Sequence, residues 1–216
     1  MLFRSRVTTS FYRALLAAAD KHRAGVALID VGPNLGAINR AALLSADFVV
    51  VPIAADLFSL QGLENVGPKL RDWHKEWRDR RDRAPEGSGS VPSGEMRPVG
   101  SVMSRYSVFA GGPVKAYQRW LERVPGAFRR ATGVSANDPP DMDHDPFCLA
   151  TLKDYRSLMP MAQAAKRPMF LLKPAHGAIG GHQAAVSACY ADFAVLANRI
   201  AERCDLAAPR SRQAGE

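Results

Sequence analysis

The sequence predicts an α/β protein in which a mainly parallel sheet is flanked by helices. Three observations carry that expectation. Residues 26–29 (VALI), 48–51 (FVVV) and 168–172 (PMFLL) are short apolar runs of the kind that fill strands covered on both faces. Stretches with apolar residues at helical spacing stand between them. Each run stops at a turn-forming or charged residue: Asp30, Pro52 and Lys173. Strands alternating with helices are the pattern of a layered sheet with crossover helices.

The elements follow in order. Thr8-Thr9-Ser10 offers hydroxyl caps to a first helix, with Phe11, Leu15, Leu16 and Ala19 on one stripe. Lys21-His22-Arg23 suits its last turn and Gly25 its end. The first strand, 26–29, stops at Asp30 and enters the loop Val31-Gly32-Pro33-Asn34. A short helix over 38–44 leads to the second strand, 48–51, closed by Pro52. Residues 59–83 read as mainly helical, interrupted around Gly67-Pro68. APEGSGSVPSGEMRP (84–98) is a loop by composition. A weaker third strand at 99–103 precedes a helix over 113–130, and residues 133–147 form another loop. A helix over 153–166, a fourth strand at 168–172 and a long amphipathic helix over 180–204 complete the pattern, before the frayed tail APRSRQAGE. The expected organisation is one domain over 1–208, with long loops at 84–97 and 131–147 and a tail at 209–216.

Composition bounds the function. The 216 residues carry 29 Lys+Arg against 21 Asp+Glu, a formal net charge of +8, with 47% apolar residues. That apolar content excludes wholesale disorder. No run approaches the ~18 apolar residues of a membrane span, and the basic N-terminus lacks the apolar core of a signal peptide. Cys148, Cys189 and Cys204 are odd in number and widely spaced, so a reduced, cytoplasmic compartment is expected. The positive charge allows an anionic partner without identifying one.

In parallel sheets ligands bind at the carboxyl ends of strands. The residues to weigh are therefore Asp30 to Asn34, Pro52 to Asp56, Ser104 to Gly112 and Lys173 to Gly177. Asp30 has two readings. A carboxylate at a strand tip is placed to hold Mg²⁺, directly or through water, beside bound phosphates. Equally, it caps the next turn or helix.

Residues 26–63, VALIDVGPNLGAINRAALLSADFVVVPIAADLFSLQGL, resemble the ParA/MinD/Soj group of deviant-Walker P-loop ATPases. The resemblance rests on Ile29-Asp30-Val31-Gly32-Pro33, Asn39-Arg40-Ala41-Ala42-Leu43, Ala46-Asp47, the strand 48–51 with Pro52, and Phe58-Ser59-Leu60-Gln61-Gly62-Leu63. Residues 97–103, the loop Lys173-Pro174-Ala175-His176-Gly177, and the closing helix with Tyr190, Phe193 and Leu196 are similar to later parts of that family. The resemblance implies an ATP- and Mg-dependent enzyme that dimerises around nucleotide, binds non-specific DNA and meets a partitioning partner. It implies Asp30 as the catalytic and metal-orienting carboxylate, and Gly32 and Pro33 as the turn sensing the γ-phosphate. Ser104, Arg105, Lys173 and Pro174 would frame the base.

One departure stands out. The family's Gly-rich Walker A segment belongs on a strand ahead of the Asp30 strand. Here 25 residues precede that strand and read as one helix, and no G-x-x-x-x-G-K-S/T occurs. Ala110-Gly111-Gly112-Pro113-Val114-Lys115 lacks the Gly-Lys pair, and Pro113 lacks an N–H a phosphate cradle would use. The fold is thus expected to be P-loop NTPase-like and N-terminally incomplete, with unpaired strand edges where that strand would lie. A portion of a longer product and a degenerate homologue both fit.

Other groupings weigh less. NDPPDMDHDP (137–146) reads as a solvated acidic loop rather than a metal site. His176 is placed to touch a ligand, and His182 reads as a helix-surface residue. Trp73 and Trp77, four apart, share a helical face amid ten charged residues between Arg71 and Arg83. The favoured reading packs both rings on the domain and leaves the charges to pair and solvate; the other is a nucleic-acid surface. Arg119, Arg123, Arg129 and Arg130 make a second candidate basic face. The tail is too polar and Pro-broken to anchor a membrane. Two functions compete: a ParA-like ATPase or its C-terminal portion, and a non-catalytic pseudo-ATPase that binds DNA or protein.

Overall fold

Helix α1 (Leu2–His22) leads into an irregular segment and then α2 (Ala37–Leu44), β1 (Phe48–Ala54) and the long α3 (Leu57–Asp82). β2 (Arg97–Tyr106), a small ribbon of β3 (Val108–Phe109) and β4 (Gly112–Pro113), α4 (Val124–Thr132) and β5 (Cys148–Lys153) follow. The chain ends through α5 (Leu158–Ala165), two 3₁₀ turns at Met169–Leu171 and Pro174–His176, and α6 (Gly181–Arg203). This computed structural model describes residues 2–32, 34, 36–54, 56–84, 89–106, 108–109, 112–113, 119–134 and 144–207. The fold is α/β, as expected: three parallel strands in the order β1-β2-β5, flanked by helices.

The chain divides into two compact units, one of Met1–Val49, Glu64–Pro98 and Arg130–Val134, the other of Val50–Leu63, Val99–Arg129 and Ser135–Glu216. In the first, α1 packs on α2, and Leu44, Trp77 and Met96 form a core flanked by Leu43, Val49, Trp73 and Val91. Trp77 is 3% exposed and satisfies its indole N–H on the Pro92 carbonyl at 2.9 Å, which a buried Trp requires. The Trp73 ring is half-buried beneath the Arg40 guanidinium, 5.2 Å from its centroid, and Arg40 in turn pairs with Glu76 at 2.7 Å. Both indoles pack on their own unit.

In the second unit β2 and β5 pair in parallel, with Val102 beside Ala150 and Ser104 beside Leu152. Their buried side chains join Tyr155, Leu158, Leu172, Ala178 and Cys189 in one core, against which Phe170, Phe193, Leu196 and Ile200 pack. Arg129 and Asp145 form a buried bidentate pair, both contacts 2.7 Å. Phe147 carries the Arg129 guanidinium at 5.2 Å and that of Arg203 at 4.6 Å from its ring centre.

Several expectations need correction. Residues 26–29 form no strand: Val26 is 57% and Leu28 92% exposed, because nothing among the described residues pairs with their backbone. Residues 168–172 are not a fourth strand but hold the turn Met169–Leu171, whose Phe170 packs on the Tyr190 and Phe193 rings. The third sheet strand is instead β5, which occupies residues 148–152, left unassigned between the expected loop and helix, and Lys153, expected as the start of that helix. Its polar Thr151 and Lys153 disguised it, and α5 accordingly starts later, at Leu158. Helix α3 is not interrupted at Gly67-Pro68. Pro68 removes one backbone hydrogen bond, while Gly67 and Trp77 on either side are buried. A Cβ at Gly67 would overlap the Ala131 backbone, so glycine there permits α3 to meet the end of α4. β1 and β2 also run beyond 48–51 and 99–103. The helix expected over 113–130 does not start at Pro113, which belongs to β4; it is helical at 119–121 and in α4, and residues 114–118 lie outside the described residues.

Candidate functional site

The loop between residue 30 and α2 is built by two asparagines. Asn39, in the first turn of α2, donates its amide to the carbonyls of Gly32 at 3.0 Å and Asn34 at 2.7 Å, and to Asn34 Oδ1 at 3.1 Å. The same Asn34 oxygen accepts the Gly36 backbone N–H at 3.1 Å, a local side-chain turn that starts the helix. Sequence reading placed Asn39 in a motif but gave it no role. Its signal was available, since two asparagines five apart bracket a glycine-containing turn.

Asp30, at the entrance to this loop, is exposed and has no hydrogen-bond or ion-pair partner among the described residues. It therefore caps no helix, and its carboxylate is free to face a cation. Gly32 is exposed with its carbonyl held by Asn39. Pro33, the other residue of the expected switch turn, lies outside the described residues.

The remaining expected site residues belong to the other unit. Ser104 is half-buried on β2. Arg105 follows it on the strand, with its side chain outside the described residues. Lys173 and Pro174 are exposed at the turn Pro174–His176. His176 Nδ1 accepts the Lys173 backbone N–H at 2.9 Å, so that ring face is spent on shaping the loop. His182 reaches the Ser157 hydroxyl at 3.0 Å. Asp56 does act as a cap: its carboxylate accepts the Ser59 N–H at 2.7 Å and the Ser59 hydroxyl at 3.2 Å at the start of α3.

These residues divide in their fitness for a nucleotide with its metal. A free carboxylate at Asp30 suits a hard cation. Phosphates need N–H donors and cations, and residues 24–39 contain no Lys or Arg. Arg40 is committed to Glu76 and Trp73. Asp30 stands alone as a ligand, since no group of three or more His, Cys, Asp or Glu side chains that could hold a metal ion occurs among the described residues, and the loop brings no cation to phosphates.

Both candidate basic faces are depleted by internal contacts. Arg71 donates to the Arg130 carbonyl at 3.2 Å and to that of Ala131, satisfying the open end of α4. Arg80 reaches Glu76 at 3.3 Å and Arg81 the Ser93 carbonyl at 2.6 Å. Arg129 is buried, and Arg130 pairs with Glu64 at 3.0 Å. The acidic loop is likewise not wholly solvated: Asp145 is 5% exposed, while Asp138, Asp141 and Asp143 lie outside the described residues.

A titratable cluster was not foreseen. The Tyr155 hydroxyl donates to Asp192 at 2.8 Å, Lys153 reaches the same carboxylate oxygen at 3.4 Å, and Cys189 lies fully buried among them. Burial, reinforced by the hydrogen bond to Asp192, raises the Tyr155 hydroxyl far above its ordinary range. Burial beside the Asp192 charge pushes the Cys189 thiol up to about 11, so it stays protonated and unreactive at neutral pH.

Residues 8–81 match the family model described as an AAA domain. That match indicates a P-loop ATPase-like domain over those residues, and it covers most of α1, the Asp30–Asn39 loop, α2, β1 and most of α3. No curated protein and no solved structure matches the chain. No helix among the described residues is long and apolar enough to cross a membrane.

Proposed function

We propose that this chain is a ParA-like ATPase of the partitioning or cargo-positioning type, or its C-terminal portion. The observation that carries the reading is the Asp30–Asn39 loop, a free carboxylate followed by a turn locked through one amide, lying inside the residues that match an AAA domain. In this reading Asp30 orients Mg²⁺ and the water around it, and Gly32 and Pro33 form the turn that responds to the nucleotide. Ser104, Arg105, Lys173 and Pro174 supply the base side. ATP and Mg²⁺ are the cofactors, and a second copy, non-specific DNA and a partitioning partner are the associates. Phosphoryl transfer depends on positioning and charge neutralisation, and residues 24–39 supply no Lys or Arg to neutralise phosphates. The isolated 216-residue chain therefore releases no phosphate from ATP above a no-enzyme control. Turnover by this chain that Asp30→Ala abolishes would overturn that expectation.

A second reading, a non-catalytic binding module, is favoured by the absence of Lys and Arg from residues 24–39. DNA binding that weakens with salt and ignores nucleotide supports it, whereas a nucleotide-dependent dimer supports the ATPase.

A further inference from the structure

The second unit carries a run of cations that no acid offsets. Residues 155–191 include Arg156, Lys166, Arg167 and Lys173 and not one Asp or Glu. All four are exposed, and none forms an ion pair among the described residues. The acids that bound the stretch are engaged: Asp154 accepts the Arg156 backbone N–H at 2.8 Å, and Asp192 is taken by Tyr155 and Lys153.

Large apolar side chains are exposed among these cations. Leu171 is 47% and Ile179 62% exposed, while their neighbours Leu172 and Ala178 are buried in one core. Residues 173–177 therefore arch between two buried feet, with Lys173, Pro174, Ala175 and Gly177 exposed. Each exposed aliphatic has a cation at hand. Leu171 closes a turn on the Pro168 carbonyl at 2.9 Å, directly after Arg167, and Lys173 stands two residues beyond. At the other foot one imidazole ties Ile179 to the residue after Arg156: His182 Nδ1 meets the Ile179 carbonyl at 3.2 Å, and Nε2 meets the Ser157 hydroxyl at 3.0 Å. Tyr190, 44% exposed, stands edge-on to Phe170, the neighbour of Leu171. A lone exposed aliphatic is ordinary, but aliphatics set beside unpaired cations ask for a partner that answers both. Nucleic acid would answer the cations and leave Leu171 and Ile179 in water. A bilayer with anionic headgroups answers both. We propose that the loop 171–179 docks on an anionic lipid surface, with Leu171 and Ile179 entering the headgroup boundary and Arg156, Lys166, Arg167 and Lys173 meeting the lipid phosphates and carboxylates.

Co-sedimentation of the full chain, without nucleotide, with vesicles of equal parts phosphatidylcholine and phosphatidylserine tests the proposal. The expected result is binding to these vesicles and none to phosphatidylcholine alone, weakening as salt rises. Arg156→Gln and Arg167→Gln each weaken it roughly five-fold, the attraction of one cation to an anionic surface. Leu171→Ser with Ile179→Ser weakens vesicle binding and leaves any retention on duplex DNA unchanged. Lys69→Gln, at an exposed site on α3, leaves vesicle binding intact. All these side chains are exposed or half-exposed, so far-UV circular dichroism stays that of the parent chain. Lys173 is not altered, so the outcome does not depend on the reading that places it beside the base. Failure to bind the mixed vesicles overturns the proposal, and so does equal binding to phosphatidylcholine alone. Vesicle binding that the paired serine substitution does not weaken also overturns it, and DNA retention lost in the arginine variants would then assign the surface to nucleic acid.

Discussion

Asn39 donates its side-chain amide to the carbonyl of Gly32 at 3.0 Å, seven residues back along the chain. That contact and its companion to Asn34 turn a glycine-containing stretch into a defined loop at the head of α2. Asn39→Asp keeps the shape but exchanges a donor for an acceptor facing three oxygens. Net contributions of such bonds are about 1 kcal/mol each, and this site is partly open to water. The expected result is a small loss of global stability with markedly faster amide hydrogen exchange over residues 30–36. Unchanged exchange there would show that the asparagines do not hold the loop.

Arg129 and Asp145 make a different kind of contact. Both charges are buried, and the guanidinium forks onto both carboxylate oxygens at 2.7 Å. Removing one partner strands the other, which costs about 3–5 kcal/mol, while an apolar pair of similar volume is often neutral. Arg129→Met should therefore lower the urea midpoint sharply, and Arg129→Met with Asp145→Leu should recover most of the loss. A double variant no better than the single would mean that the ion pair is worth more than its own desolvation.

This pair also shows where the sequence stops being legible. Layer class and the approximate places of several helices followed from apolar period, because a buried face repeats in the residue types themselves, but helix ends did not: α1 begins at Leu2 rather than after a cap at 8–10, and Pro113 starts no helix. Asp145 did not, since a carboxylate inside an Asp-rich stretch reads as solvated until its arginine, sixteen residues earlier, folds onto it. β5 was hidden for a related reason: Thr151 and Lys153 break the apolar run that marks a strand covered on both faces. Conversely, 26–29 has the composition of a strand, but a strand is a relation between two backbones and the second is missing among the described residues. In the candidate site, Asp30 and Gly32 were legible as a motif. The lock supplied by Asn39 required coordinates.

Gly67 tests how α3 meets α4. A Cβ at this buried position would run into the backbone of Ala131, which cannot rotate aside as a side-chain tip would. Gly67→Ala gains helix propensity, yet overpacking of this kind costs about 1–3 kcal/mol. The clash is therefore expected to win, with a lower thermal midpoint and weakened Arg71 contacts to the end of α4. A stabilised Gly67→Ala would show that the two helices separate at little cost.

Tyr155 and Cys189 fix the alkaline limit of stability. Burial raises both groups, the thiol from 9.0 to about 11 and the phenol beyond that, with Asp192 adding to each. Both are acids that are neutral when protonated, so the folded state holds its protons more tightly than the unfolded chain. Below about pH 8 neither state has released them, and the full stability is present. As pH rises further, the unfolded chain ionises first and stability falls, by the linkage between bound protons and folding. Urea unfolding followed between pH 8 and 11 should show this decline. Tyr155→Phe should flatten it while lowering stability near neutrality by about 1 kcal/mol through loss of the bond to Asp192. At neutral pH a thiol reagent should modify Cys148, which is only half-buried, before Cys189. Rapid native-state labelling of Cys189, or stability flat to pH 11, would show that the cluster is open to water.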